Sequence, residues 1–118
     1  MVSLKLKEDI ILSVVCPYLN GTVILEKRIW RYKIIPAHSE VENRLDLIKE
    51  ILSKEDRDII KRRKKSDPNK IALFKQCPHL LPYNKMIKIA LHLKEAGKFV
   101  ITTVHGVNNI PMDMEELI

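Results

Sequence analysis

No Gly-rich phosphate loop, paired-carboxylate arrangement or Cys/His spacing of the metal-ligand kind occurs in this chain. It offers instead a set of separated histidines, lysines, arginines, tyrosines and threonines beside five consecutive cations, Lys61-Arg62-Arg63-Lys64-Lys65. Such a set suits cleavage of RNA without a metal. The ribose 2′-hydroxyl attacks its own phosphate in that reaction, so the protein supplies no nucleophile. It must supply a base, an acid and a cation or polar donor for the charge developing on the phosphorane. His38 is the leading acid or base, because imidazole titrates near working pH. Lys33 is a candidate for stabilising phosphate charge. Arg31, Arg62 and Arg63, with Lys61, Lys64 and Lys65, are candidates for phosphate contact. Tyr83 and His105 are auxiliary candidates, and Trp30 reads as core rather than as a base-stacking platform. Each has a plainer reading: a loop histidine bonded to backbone, a solvent-facing lysine, a solvated charge run.

These residues need elements to position them. Val2, Leu4 and Leu6 alternate with Ser3, Lys5 and Lys7, as in a half-buried strand. Residues 9–16 form a nearly continuous apolar run and read as a more deeply buried strand. Asn20-Gly21 then makes a turn into a β-rich segment from Thr22 to Leu25. Aromatic and basic residues from Ile29 to Ile35 read as a short helix closed by Pro36, and His38-Ser39-Glu40 as a loop capping the next element. Val41, Leu45, Ile48 and Leu52 fall four, three and four apart, one stripe of an amphipathic helix. A second short helix is expected from Glu55 to about Lys64, with acids at its start and cations at its end, terminated by Asp67-Pro68-Asn69.

Ile71 to Phe74 reads as a strand. Between Asn84 and Lys94 helix propensity and period conflict. Ile87, Ile89, Leu91 and Leu93 alternate with Lys88, Ala90, His92 and Lys94, and the period of two prevails. Phe99 to Val104 is then the partner strand across a turn at Lys94 to Gly97, and the last dozen residues read as an irregular tail. The expected class is α+β: an antiparallel β-sheet with two or three helices packed on one side.

Composition bounds what such a domain does. With 118 residues, 46% hydrophobic and 31% charged, the chain suits one domain, residues 1–118, with a real core. No run approaches the roughly 18 apolar residues of a membrane span, and no signal-peptide core is present at the start. Cys16 and Cys77 lack the spacing to another Cys or His that a zinc site uses and read as buried structural thiols. A cytoplasmic location without metal or cofactor fits. The net charge of +6 favours an anionic partner such as RNA, whereas residues 106–118 carry three acids and no base.

The order of these segments resembles the barnase–EndoU–colicin–RelE-like (BECR-fold) RNases, in particular their small phage- and cyanobacterium-associated branch. The resemblance runs from about Ile10 to Val104. It rests on the Ile10-Ile11-Leu12-Ser13-Val14 and Thr22-Val23-Ile24-Leu25 strands, on Trp30 ahead of the short helix, and on His38-Ser39-Glu40-Val41 entering the long one. Phe99-Val100-Ile101-Thr102-Thr103 matches the family's last strand, Val-Ile-Thr-Ala. The family pattern at the helices is a His-Ile pair, three spacers and a His-Pro-Glu. Here Lys33-Ile34 replaces His-Ile, and Ser39 replaces the proline. The resemblance implies a metal-independent endoribonuclease, a toxin or phage-conflict effector with a cognate antitoxin or immunity protein, using His38, Lys33 and Thr102. Thr102 would donate a hydrogen bond to the phosphate. The alternative is a non-catalytic RNA-binding or partner-binding module on the same fold, which Lys33 in place of histidine favours.

Overall fold

Alternation along residues 86–95 sets the frame. In the computed structural model, which describes residues 9–77 and 84–117, Ile87, Ile89 and Leu91 are all but fully buried, while Lys88, Ala90 and His92 are half-buried on the opposite face. This is strand β5 (Met86–Glu95) of a sheet whose other strands are β1 (Ile10–Cys16), β2 (Gly21–Glu26), β3 (Ile60–Lys64), β4 (Asp67–Gln76), β6 (Lys98–Val107) and β7 (Met114–Glu116). Their order across the sheet is β1-β2-β6-β5-β4-β3-β7. Ile89 lies opposite Leu73 of β4 and Val104 of β6, both fully buried, so β5 runs through the core. The turn between β5 and β6 closes at Gly97, whose φ of 77° suits a residue without Cβ.

Two helices complete the α+β fold. Helix α1 spans residues 27–37, with α turns Lys27–Ile29 and Ile35–Ala37 flanking a wider π segment, Trp30–Ile34. Helix α2 is Leu45–Ser53. It packs against β1 and buries Leu47, Ile48, Ile51 and Leu52. Trp30 and Ile34 of α1 join the same core, as the sequence implied for Trp30. Cys16 and Cys77 are buried and free, with burial pushing both thiols up from their ordinary range. A smaller apolar cluster of Ala72, Phe74 and Met86 forms beneath Ile60, Val107, Ile110 and Met114.

Four sequence expectations are corrected. First, the basic run lies on strand β3, not on a helix over residues 55–64. Ile59 and Ile60 have no apolar partner one helical turn later, so a helix there would bury almost nothing. As a strand the run gains ladders on both sides, to β4 and to β7. Asp56 and Asp58 sit in a turn before it, where the Asp56 carboxylate accepts the Asp58 N–H at 2.9 Å. Second, Asp67-Pro68-Asn69 opens β4 instead of ending an element. Its pairing with β5 starts only at Lys70, so Pro68 breaks no ladder there. Third, the tail supplies β7, antiparallel to β3. Fourth, the sheet is not wholly antiparallel: β2 and β6 run parallel over Thr22–Ile24 and Lys98–Val100.

The amphipathic helix also starts later than its stripe. Val41 is buried from a 3-10 turn, Ser39–Val41, and the α-helix begins at Leu45. The expected strand over residues 2–7 lies outside the described residues. Among the described residues no helix is long and apolar enough to cross a membrane.

Candidate active site

The short β2–β6 pairing positions the site. It stops at Val100, and beyond it α1 and the Ser39–Val41 turn pack against β6. Helix α1 therefore sends Trp30 and Ile34 into the core and presents Lys33 to the opposite face of the sheet. There Lys33 borders a groove of about 400 Å³ together with Lys64 of β3, Lys70 of β4, Lys88 and His92 of β5, and Thr102 of β6. Ala72, Ala90 and Met114 contribute apolar lining.

Of the three candidates expected to converge, Lys33 and Thr102 share this groove. His38 stands beside it, stacked on His105 with ring centroids 4.5 Å apart and planes 24° from parallel. His105 is directly opposite Lys88 across the β5–β6 ladder, a position at which side chains on one face meet. The histidine pair thus adjoins the Lys88 end of the groove. His105, expected as an auxiliary candidate, is the partner of His38 in that stack.

The loop entering α2 holds His38 in place through backbone and carboxylate. The His38 N–H donates to the Ile34 carbonyl at 2.7 Å. Glu40 accepts the Gly106 N–H at 3.0 Å through Oε2, which also lies 3.8 Å from His38 Nδ1. One carboxylate therefore ties the loop to β6 and faces the imidazole. His105 Nδ1 is buried without a hydrogen-bond partner, so Nε2 is the nitrogen through which this ring can exchange a proton. Burial, then His38, then Lys88 push His105 below the ordinary histidine range, with Glu40 opposing. A buried, unpaired polar atom costs about 1–3 kcal/mol.

The groove lysines have little compensation. Among the described residues no carboxylate lies within ion-pair distance of Lys33, Lys64, Lys70 or Lys88. Burial and the neighbouring Lys64 lower the Lys88 ammonium from its ordinary range, although Asp113 acts the other way. A bound anion would relieve that repulsion.

The remaining sequence candidates divide. Thr102 sits at a bulge, between the Ala90–Thr103 and Leu91–Ile101 pairs, and its hydroxyl donates to the Ala90 carbonyl at 3.3 Å. Donation to a phosphate would require that bond to be exchanged. Of the five-cation run only Lys64 reaches the groove. Arg63 pairs with Glu115 at 3.0 Å, Arg62 lies 3.9 Å from Glu116, and Lys61 sits 3.6 Å from Glu55 with its ammonium over the Tyr18 ring. Strand alternation divides the run between faces, and β7 returns acids to it. Lys65 is exposed in the β3–β4 turn, and Arg31 is exposed and not part of the groove lining. Tyr83 lies outside the described residues.

Sequence reasoning passed over Lys70, Lys88, His92 and Glu40 as functional groups. The signal for Lys88 and His92 was present, since the alternation that buries Ile87, Ile89 and Leu91 puts them together on the other face. Lys70 carries no local signature, and Glu40 stands at the glutamate of the resembled His-Pro-Glu pattern; cross-strand register and the packing of a loop on β6 bring them in. Among the described residues no three of His, Cys, Asp or Glu converge in a metal-holding group. No protein-family model, curated protein or solved structure matches this chain.

Proposed function

We propose that the chain is a metal-independent endoribonuclease of the BECR type, cleaving RNA by attack of the ribose 2′-hydroxyl. The observation that carries this reading is the stacked His38–His105 pair beside Lys88, at the end of a lysine-lined groove. A neutral His105 accepts the 2′-hydroxyl proton as the 2′-oxygen bonds to phosphorus. The bond from phosphorus to the 5′-oxygen breaks, and His38 returns a proton to that oxygen. The products are a 2′,3′-cyclic phosphate and a free 5′-hydroxyl. Lys88 and Lys33 face the charge that builds on the non-bridging oxygens, while Glu40 holds the loop carrying His38. A toxin or phage-conflict role with a cognate neutralising protein, and a cytoplasmic setting, belong to the same proposal.

Two observations favour a second reading, an RNA-binding module without turnover: the Thr102 hydroxyl is engaged by the Ala90 carbonyl, and lysine stands at position 33 where the resembled family has histidine. Incubating the purified protein with mixed RNA in EDTA separates the two. The nuclease reading expects cyclic phosphate termini, no action on DNA, and a loss of about 10²- to 10⁴-fold in rate for His38→Ala. RNA left intact but bound would sink it in favour of the module.

A further inference from the structure

The groove is longer than one phosphate requires, and its two ends differ. Lys88 faces His105 at one end. Four residues further along β5, His92 faces Lys70 of β4 at the other. At about 3.3 Å per strand residue those positions are about 13 Å apart. The reacting phosphate, held at the histidine pair, therefore cannot also engage Lys70 and His92. Apolar Ala72 and Ala90 line the wall between the two ends, and nothing among the described residues neutralises Lys70.

We propose that Lys70 and His92 form a second phosphate subsite, so that the substrate is single-stranded RNA carrying a further phosphate beyond the one that reacts. The inference rests on the endoribonuclease reading for the identity of the first site. Lys64, past the Arg63–Ile71 pair on β3, is close enough to act on Lys88 and links the ends electrostatically. The aliphatic stretch takes the intervening sugars and bases without a stacking partner, so recognition follows phosphate number more than sequence. Lys70 and His92 act on binding and not on bond making.

The test compares a dinucleotide, with one phosphodiester, against a pentanucleotide of the same scissile step. Wild type should show a KM about tenfold lower for the pentanucleotide. Lys70→Ala should erase that advantage, since each lost phosphate contact weakens binding, by raising the pentanucleotide KM far more than the dinucleotide KM. His92→Ala is the second variant and should act in the same direction. Equal losses on both substrates, or no length preference in wild type, would overturn the subsite. Binding of 2′-methoxy oligonucleotides of the two lengths, read by fluorescence anisotropy, keeps the outcomes apart because no cleavage is needed. If RNA is never cut but the longer probe still binds more tightly and Lys70→Ala removes that gain, the subsite stands and the nuclease reading falls. If length has no effect on binding either, the subsite falls.

Discussion

Removing the groove lysines one at a time should change how steeply RNA binding depends on salt. For single-stranded nucleic acid each neutralised phosphate contributes about 0.7 to the slope of log affinity against log salt. Lys33, Lys64, Lys70 and Lys88 all line the groove; if each neutralises one phosphate, the slope is about −2.8. Raising salt from about 50 to 200 mM, a fourfold change, then weakens binding about 50-fold. Each lysine replaced by alanine takes about 0.7 from the slope and brings that loss to about 20-fold. The arginines of β3 give the contrast. Arg63 and Arg62 face Glu115 and Glu116 across the β3–β7 ladder, so replacing both should shift the slope by less than one lysine does. Fluorescence anisotropy of a labelled 2′-methoxy pentanucleotide across a salt series reads all of this. A slope that halves in Arg62→Ala/Arg63→Ala and holds in the lysine variants would place the strand along the β3–β7 edge and refute the groove.

Ile89→Ala should cost about 2–5 kcal/mol by chemical denaturation, the range for emptying a core site, because Ile89 is fully buried between Leu73 and Val104. Alanine at Lys94, an exposed position on the same strand, should cost little, and a sensitivity pattern of period three or four along residues 87–93 would contradict the strand. For pH, His105 is held below its ordinary value, so the folded state favours the neutral ring. Its contribution is present above the unfolded histidine pKa of about 6.5 and is lost as pH falls through the lower folded value. Thermal unfolding between about pH 7 and 5 should therefore show a steeper loss for wild type than for His105→Gln; parallel curves would contradict the burial and charge environment assigned to that ring.

The sequence alone determined what local pattern can carry. Alternation over residues 87–93 was enough to overrule helix propensity and define both the buried and the polar face of β5. Asn20-Gly21 and Gly97 marked turns, and the spacing of Ile48 and Leu52 marked one helix, because side-chain period and backbone freedom belong to a few consecutive residues. His38 was legible as a loop histidine for the same reason. What Lys61 to Lys65 would do was not. Charge at segment ends favoured a helix, but β4 and β7 offer ladder hydrogen bonds on both sides, and the acids of β7 then claim Arg62 and Arg63. The stacking of His105 on His38 was equally hidden, since it depends on the Ser39–Val41 turn packing on β6 and setting one imidazole upon the other. Lys70 joins Lys33, Lys64 and Lys88 from four separate elements. Only register and sheet order, fixed by burial of the whole core at once, bring residues so distant in sequence around one groove.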